Sequence, residues 1–263
     1  MTIVFTCKNA TTSLFKGVES VGTAGDPISV IQNNCLTEHN TRCRVALSDR
    51  VLLREYDESL PLTWAWNYSV YHASTPWVLI CNDDVRFDPD WREKLVRALR
   101  KYPKALQVNM AYPVSSFSAF LIHKKLIGML GWFDPQFPAF RWEDEDWYLR
   151  ILEKFGKDLG QQQHAGKLPK NSIICWTDAV SNSHQQRRAD AKYYGGLHWD
   201  LDPKRNEMAF WGKWRPDKNG YLTKGKVRGK KQIRVIRTRD TACFSEYGDV
   251  GSMELENYRD LQR

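Results

Sequence analysis

The sequence WVLICNDDVRFDPDW, from Trp77 to Trp91, carries the clearest structural signal in the chain. Its first part, Trp77 to Cys81, is apolar without alternation, which is typical of a strand covered on both faces in a mostly parallel sheet. The run ends in Asn82, Asp83 and Asp84, whose side-chain oxygen atoms can bind a cation. Ligands of open α/β sheets bind beyond the carboxyl ends of the strands. The stretch therefore predicts a buried strand that delivers carboxylates to a site.

Helices are predicted on both sides of this strand. The segment from Leu62 to Ala73 has apolar residues three or four apart, which predicts a helix that ends before Pro76. Asp90 followed by Glu93 has the pattern of a capping box, and it predicts a second helix that Pro103 stops. The strand thus lies between two predicted helices.

Further strands and one more helix continue this alternation. Apolar and β-branched runs predict strands at Thr2 to Cys7, Pro27 to Gln32, Arg44 to Glu55, Leu106 to Met110, Ser118 to Ile122 and Ser172 to Trp176. An apolar stripe of Trp147, Ile151 and Phe155 predicts a helix that ends at Gly156. Strands that alternate with helices indicate an α/β fold with a largely parallel sheet.

The length and composition favour one large α/β domain with an appended segment. A chain of 263 residues can bury a full core, and beyond Pro216 a change to glycine and lysine marks a different segment. No segment approaches the roughly 20 apolar residues that a membrane helix needs. The six cysteines are scattered without a CxxC pair, so we expect a reducing, cytoplasmic location and no structural zinc.

The positive charge of the chain is local. The formal net charge is +8, and the segment from Lys224 to Arg239 contains eight basic residues and no acidic one. The rest of the chain is therefore neutral in formal charge. Such a segment attracts phosphates of nucleic acid, lipid or nucleotide, or it is a solvated basic hairpin. Both interpretations stay open.

A second acidic cluster lies in the sequence WEDED, from Trp142 to Asp146. Consecutive acids repel one another, so a fold collects them at a helix N-terminus, where the helix dipole favours negative charge, or around a cation. Taken by itself the cluster favours a capped helix start, although capping explains only one or two of the four acids. Two acidic clusters indicate a divalent cation more strongly, because such ions take oxygen ligands and often keep substrate phosphate in their shell. We expect Asp84 to hold the ion and a carboxylate of the second cluster to act as a base.

One histidine is a candidate ligand. His184 follows the last predicted strand, in the sequence SIICWTDAVSNSH. A lone histidine is more often a surface or core residue than a ligand, so this role is a hypothesis. The remaining histidines are interpreted as surface or core residues: His39, His72, His123, His164 and His198.

Three blocks of the sequence together resemble the glycosyltransferases of family 2, which have the nucleotide-sugar-binding GT-A architecture. The blocks are AWNYSVYHASTPWVLICNDDVRFDPDW, FSAFLIHKKLIGMLGWFDPQFPAFRWEDEDWYLRI and IICWTDAVSNSH. They are similar to the family's Asn-x-Asp strand end, to its Gly-x-Phe-Asp and Glu-Asp-x-Asp segments, and to its late strand followed by a histidine. The resemblance covers about Thr2 to Trp214. It implies a GT-A catalytic domain over residues 1–215, with a Rossmann-like, mixed, mostly parallel sheet flanked by helices, and a basic extension over residues 216–263.

The resemblance implies a metal site at the end of the first block. Asp84 matches the metal-binding aspartate of the family's Asp-x-Asp motif, and Asn82 stands in place of the first aspartate. Asp83, between them, is expected to contact the ribose or the diphosphate. His184 matches a histidine that completes the metal shell in some members. The implied cofactor is a divalent cation, Mn²⁺ or Mg²⁺.

The resemblance also implies the substrates. The donor is a nucleoside-diphosphate sugar, and the acceptor is a hydroxyl of a glycan or another molecule. Asn33 and Asn34 lie where the family often has an aspartate that binds the base or the ribose of the nucleotide, so the identity of the base stays open. Asn67 matches a residue near the donor nucleotide.

These residue types fit transfer with inversion. Negative charge develops on the leaving diphosphate, where a cation stabilises it. Asp144 matches the family's catalytic base, which deprotonates the acceptor hydroxyl as it attacks the anomeric carbon from the opposite face. Glu143 and Asp146 are expected to orient the acceptor or the helix. The adjacent carboxylates raise the pKa of the base.

Two alternatives have less support in the sequence. A nucleotidyltransferase also needs paired carboxylates and a cation, but the chain lacks the GxGxxG and GxxxxGK[ST] patterns of phosphate-binding loops. A polyanion-binding or nucleic-acid-binding protein would use the basic segment from Lys224 to Arg239. That segment has neither aromatic interleaving nor zinc-ligand spacing, so only its charge favours nucleic acid.

Overall fold

The computed structural model of the protein describes residues 1–7, 12–22, 25–33, 51–56, 62–111, 117–134, 137, 143–156, 168–182, 214–216 and 222–224. Within these ranges the strands are β1 (Thr2–Cys7), β2 (Ile28–Asn33), β3 (Val51–Tyr56), β4 (Trp77–Asn82), β5 (Val85–Phe87), β6 (Gln107–Ala111), β7 (Ala119–His123), β8 (Ile174–Asn182), β9 (Trp214–Pro216) and β10 (Leu222–Lys224). The helices are α1 (Thr12–Ser20), α2 (Leu62–His72), α3 (Trp91–Lys101), α4 (Lys124–Leu130) and α5 (Glu143–Phe155). Strands and helices alternate over most of this range, as the sequence predicts.

One sheet organises the described part of the chain. Its eight strands have the order β3-β2-β1-β4-β7-β6-β8-β5. Strands β3, β2, β1 and β4 run parallel, and so do β6 and β8. Strands β7 and β5 run antiparallel to the strands beside them. The predicted α/β class with a mixed, mostly parallel sheet is confirmed.

The apolar run of β4 is buried because both faces of the sheet are covered. Val78, Leu79, Ile80 and Cys81 have no exposed surface. Successive side chains of a strand point to opposite faces. Leu79 and Cys81 accordingly belong to a first core cluster, and Val78 and Ile80 belong to a second. The run does not alternate because each face meets its own apolar core.

Helices on the two faces complete these clusters. Leu14 of α1 and Leu95 of α3 lie in the first cluster. Trp66 of α2, Leu126 of α4 and Trp147 of α5 lie in the second. Because α2 and α5 share the second cluster, the acidic start of α5 lies on the same side of the sheet as α2.

None of the described helices is long and apolar enough to cross a membrane.

The helix predicted after Asp90 is present as α3, but its predicted capping box is wrong. The side chain of Asp90 makes no capping hydrogen bond. Its carboxylate lies 3.2 Å from the Nζ atom of Lys94, which also donates to Asp88 at 2.7 Å. The ion pair with Lys94 holds the carboxylate that the capping box would use. The helix ends at Lys101, shortly before the predicted stop at Pro103.

The shortest elements are not predicted from the sequence. Strands β5, β9 and β10 have three residues each and α4 has seven, and periodicity is weak evidence over so few positions. Of the strand predicted from Arg44 to Glu55, β3 begins at Val51, and residues 44–50 lie outside the described residues. Strands β9 and β10 pair across the predicted boundary at residue 215. The division into residues 1–215 and 216–263 stays a prediction.

Gly17 provides a test of how closely α1 packs against β5. A Cβ atom on Gly17 would lie 2.8 Å from the carbonyl oxygen of Val85 and 3.2 Å from Cε1 of Phe5. Because a strand carbonyl cannot rotate away, we expect Gly17→Ala to lower the free energy of unfolding by about 1–3 kcal/mol, the usual cost of overpacking. Urea denaturation followed by circular dichroism measures the change.

Gly128 provides the matched control. It also lies in a helix, α4, but a Cβ atom there would meet nothing within 4 Å. Gly128→Ala is expected to be neutral or to stabilise by up to about 1 kcal/mol, because alanine restricts the unfolded chain. Equal unfolding midpoints for the two variants would contradict the close contact between α1 and β5.

Candidate functional site

The turn after β4 places two carboxylates at the carboxyl end of this strand. The N–H of Asn82, the last residue of β4, donates to the carbonyl of Ser118 at 2.7 Å. The chain then turns at Asp83 and Asp84 before it enters β5. Asp84 is 1% exposed and Asp83 is 6% exposed. Because a buried carboxylate loses its hydration, it needs hydrogen-bond donors or a cation nearby.

Strand β5 and helix α1 hold this turn in place. Val85 and Phe87 are buried in the first core cluster. Arg86, between them, reaches α1 and donates to the carbonyl of Ser13 at 2.6 Å. The N–H of Phe87 donates to the Oγ atom of Ser20 at 3.0 Å. The helix that follows β1 is thus bonded to the strand that follows the carboxylates.

The ends of β1 and β2 lie beside Asn82 at the same edge. Thr6 of β1 pairs with Ile31 of β2 on one side and with Asn82 on the other. Since adjacent strands are about 4.8 Å apart, the backbones of Ile31 and Asn82 are about 10 Å apart. Asn33, expected to bind the donor, ends β2 two residues later, and Asn34 lies outside the described residues. The structure therefore brings the ends of β2 and β4 to one edge.

The end of β8 also approaches the turn. Val85, the residue after Asp84, pairs with Asn182 in the antiparallel contact of β5 and β8. The register of β6 against β8 shifts between Asn109 and Ala111, before β8 reaches β5. His184 lies outside the described residues, two positions after Asn182.

Asp84 is a suitable oxygen ligand for a divalent cation. It is a carboxylate at the strand edge where α/β folds bind their ligands. Within the described ranges, no group of three or more His, Cys, Asp or Glu side chains is close enough to hold a metal ion. A cation here therefore needs further ligands, from substrate phosphates or from residues such as His184.

The second acidic cluster forms the first turn of α5. This turn contains Glu143, Asp144, Glu145 and Asp146. The helix dipole favours negative charge at this position, so the predicted location at a helix N-terminus is confirmed. The four environments differ: Glu143 and Asp146 are buried, Asp144 is partly exposed and Glu145 is exposed. Four acids in one turn can therefore have different roles.

The pKa of Asp144 is raised from its ordinary value to about 9. Burial of the carboxyl group is the largest cause, followed by a hydrogen bond with the Glu145 side chain and by the negative charges of Glu143 and Glu145. The N–H of Glu145 donates to Oδ1 of Asp144 at 3.0 Å and opposes the rise. The neighbouring charges are visible in the sequence, whereas the larger effect of burial is not. When ionised, such a carboxylate is a stronger proton acceptor than an ordinary aspartate.

Asp146 is bonded to protein groups on both of its oxygen atoms. Oδ2 accepts from Nε of Arg150 at 3.0 Å, and Oδ1 accepts from Nε1 of Trp214 at 2.8 Å. Arg150 also donates to the carbonyls of Trp132 at 2.8 Å and of Leu130 at 3.3 Å. Of the two roles expected for Asp146, orienting the acceptor or orienting the helix, these contacts favour the helix.

Arg150 has no role predicted from the sequence, and Trp214 enters only as the end of the family resemblance. The spacing of Asp146 and Arg150, four residues apart in a predicted helix, is the signal that indicates their ion pair. No local pattern indicates Trp214, because its partner lies 68 residues away in the chain.

Asn67, expected near the donor nucleotide, has a structural contact in the fold. It is fully buried in α2. Its Nδ2 atom donates to the carbonyl of Phe133 at 2.8 Å, and its Oδ1 atom accepts from the N–H of Phe133 at 2.9 Å. Both polar atoms of the side chain therefore hold the segment after α4. That Asn67 also lies near the donor nucleotide stays a prediction.

A sequence profile matches the chain across both acidic clusters. The profile describes glycosyl transferase family 2, and it matches residues 37–175, more than half of the chain. The chain belongs to glycosyl transferase family 2. It is therefore a glycosyltransferase, and its mostly parallel sheet with helices on both faces is the GT-A fold of this family. Among curated proteins, no sequence matches the chain.

Solved structures of other glycosyltransferases are distantly similar to this family 2 member. The mannosyltransferase PcManGT from Pyrobaculum calidifontis, in complex with GDP-Man and Mn²⁺, is 12% identical with a TM-score of 0.49, and the match covers 80% of this chain and 68% of that chain. S. aureus TarS is 10% identical with a TM-score of 0.49, with coverage of 80% and 42%. Residues 1–349 of TarS in complex with UDP are 10% identical with a TM-score of 0.47, with coverage of 80% and 70%. These similarities are too distant to assign a donor or an acceptor.

The contact between Asn67 and Phe133 gives a second prediction. Asn67→Ala removes the partners of a backbone N–H and a backbone C=O in a buried environment. Since an unsatisfied buried polar group costs about 1–3 kcal/mol, we expect a loss of at least about 2 kcal/mol in the free energy of unfolding. Chemical denaturation at constant pH measures this loss.

Ser69→Ala is the control for this variant. Ser69 is also buried in α2, but its hydroxyl donates to the carbonyl of Ala65 within the same helix. Because that carbonyl keeps its helical hydrogen bond, we expect Ser69→Ala to change stability by less than about 1 kcal/mol. A comparable loss in both variants would show that Asn67 contributes packing rather than its two hydrogen bonds.

Proposed function

We propose that the protein is an inverting, metal-dependent glycosyltransferase that moves a sugar from a nucleoside-diphosphate donor to an acceptor hydroxyl. The observation that carries this proposal is the burial of Asp84 at the carboxyl end of β4, beside the ends of β1 and β2. A cation stabilises a carboxylate in that position. A cation is also what a leaving diphosphate needs as its negative charge develops. Membership of family 2 supports the reaction class.

The donor binds along the ends of β2 and β4. Asn33 and Asn34 contact the nucleoside, and Asn82 and Asp83 contact the ribose and the diphosphate. Amide and carboxylate side chains offer the donors and acceptors that ribose hydroxyls and base edges require. The pairing of both strands with β1 supports this arrangement, since it brings their ends about two strand spacings apart.

Asp84 and His184 hold the divalent cation, Mn²⁺ or Mg²⁺. When bound, the cation stabilises the negative charge of the leaving diphosphate. Asp84 lies in a turn that leads into β5, and hydrogen bonds between β5 and α1 hold this turn in place. The pairing of Val85 with Asn182 supports His184 as the second ligand, because it brings the chain to within two residues of His184 beside that turn.

Asp144 takes the proton of the acceptor hydroxyl. As the acceptor oxygen attacks the anomeric carbon, the bond between that carbon and the diphosphate oxygen breaks on the opposite face, so one displacement inverts the configuration. The raised pKa of Asp144 makes its ionised form a stronger proton acceptor than an ordinary aspartate, and that form predominates only above about pH 9. Glu143, buried in the same turn, orients the acceptor.

Other predictions from the sequence rest on less. Binding of a polyanion depends on the segment from Lys224 to Arg239, of which the structure describes only Lys224. The role of that segment therefore stays a prediction. The nucleotidyltransferase alternative and the cytoplasmic location stay predictions as well.

The metal site is tested by Asp84→Asn, which removes the charge and keeps the shape of the side chain. We expect the affinity for UDP or GDP in the presence of Mn²⁺ to fall about tenfold or more, because a charged ligand of the cation is lost. EDTA should weaken binding to the unchanged protein by a similar factor and have little further effect on the variant. Isothermal titration calorimetry measures both.

Asp88→Asn is the matched control for Asp84→Asn. Asp88 lies four positions later, outside the turn of Asp83 and Asp84, and pairs with Lys94. This variant should bind nucleotide as the unchanged protein does. Binding to Asp84→Asn that EDTA still abolishes would remove Asp84 from the metal site.

The base is tested by Asp144→Asn. We expect kcat to fall by about 10²–10⁴-fold, the usual contribution of a general base, while nucleotide affinity is retained. For the unchanged protein, kcat/KM should rise with pH up to about 9, because only the ionised carboxylate accepts the proton. Initial rates of donor consumption between pH 6 and about 10 measure the profile.

Glu145→Gln sharpens this test. The Glu145 side chain raises the pKa of Asp144 through its charge and its hydrogen bond. Removing that charge lowers the pKa of Asp144, so the rise in kcat/KM should move to lower pH. A profile that stays in place in Glu145→Gln, or that persists in Asp144→Asn, would assign the base to another residue.

A further inference from the structure

A buried ion pair in α5 is completed by a residue from the distant hairpin of β9 and β10. Asp146 is 0% exposed, Arg150 is 3% exposed and Trp214 is 1% exposed. Arg150 binds one carboxylate oxygen of Asp146 and the indole N–H of Trp214 binds the other. Trp214 lies outside the residues that match the family profile, 37–175. The contact therefore joins the late hairpin to the helix that carries the acidic cluster.

The same ion pair reaches the segment before α5. Arg150 donates to the carbonyls of Leu130 and Trp132, at the C-terminal end of α4. Its guanidinium group also lies over the ring of Trp147, 4.7 Å from the ring centroid. Phe133, the next residue of the segment, is held by Asn67 of α2. One chain of buried polar contacts thus connects the hairpin, α5, the segment after α4, and α2.

The energetics of such a pair favour a role in positioning. Two buried charges lose their hydration, and a buried ion pair often contributes little to net stability compared with apolar residues of the same shape. Such a pair does hold its two partners in one relative orientation, because each hydrogen bond restricts a distance and an angle. The first turn of a helix lacks internal partners for its N–H groups and opens easily, so external contacts decide how firmly it is held.

We propose that Trp214 is a positioning residue for the sugar transfer: its indole N–H fixes Asp146 and thereby holds the first turn of α5, which carries Asp144, in its reactive place. This inference rests on the proposed function, since it takes Asp144 as the base. Asp144 lies two residues before Asp146 in the same turn. A displacement of about 1 Å at a catalytic group can lower the rate by about 100-fold.

Trp214→Phe separates this role from simple packing. Phenylalanine keeps an aromatic ring in the buried position, removes the N–H that reaches Asp146 and is smaller than tryptophan, a loss of volume that the control variant shares. We expect kcat to fall about 10- to 100-fold while the donor KM changes by less than about threefold, since donor-binding residues are not touched. Circular dichroism confirms that the variant is folded.

Trp91→Phe is the matched control. Trp91 is also a buried tryptophan, and its indole N–H donates to the carbonyl of Val21 at 3.2 Å. It lies in α3, on the opposite face of the sheet from α5. We expect the two variants to lose similar thermal stability and only Trp214→Phe to lose kcat. A merely structural role of Trp214 predicts lower thermal stability and unchanged kcat in both, and that result would overturn the inference.

A second measurement does not depend on activity. Hydrogen exchange of the peptide that covers residues 143–150 should be faster in Trp214→Phe than in the unchanged protein, and unaltered in Trp91→Phe. If the unchanged protein transfers no sugar from any nucleotide donor, the proposed function fails, and exchange alone then decides whether Trp214 holds the turn. Unaltered exchange in Trp214→Phe overturns the inference. Asp146→Asn, which keeps one acceptor oxygen, replaces Trp214→Phe if that variant does not fold, with the same expected loss of kcat and faster exchange.

Discussion

The hydrogen-bonded register of β4 determines where the candidate site lies. β4 is apolar on both faces, so a slip by one residue would still place apolar side chains against both cores. The polar residues at its carboxyl end disfavour such a slip, because it would move Asn82 or Asp83 into the apolar core, where polar partners are lacking. The pairing of Thr6 with Asn82 is the observed result. The polar side chains of the candidate site thus also fix the register of β4, the strand that positions them.

Environment, rather than residue type, distinguishes the acids of α5. Asp146 is neutralised by Arg150 and is structural, whereas Glu145 is exposed and keeps its hydration. Asp144 lies between these extremes, where burial and two neighbouring charges make its ionised form costly. A carboxylate that is costly to ionise holds a proton more tightly, which is the property of a base. The fold produces this difference over three consecutive residues.

The sequence is sufficient for the parts of the structure that depend on local pattern. The buried strand from Trp77, the helix from Leu62 and the acidic start of α5 are predicted because periodicity and turn residues are local signals. The capping box at Asp90 is wrong because a lysine four residues later competes for the carboxylate. The contact of Asn67 with Phe133 joins residues 66 positions apart, and no local pattern carries that information.

Buried hydrogen bonds explain how α5 keeps one orientation on the sheet. Apolar contacts such as those of Ile151 are non-directional and would allow the helix to shift or rotate slightly. The indole N–H of Trp147 donates to Oε1 of Gln107 at 2.8 Å, and Nε2 of Gln107 donates to Oδ1 of Asn109 at 2.8 Å. Gln107 and Asn109 belong to β6, which is paired with β7 and through it with β4. The proposed base and the proposed metal-binding turn come from separate parts of the chain. Their separation therefore depends on this bonded path across the sheet, because apolar burial alone would leave the distance between them loosely defined.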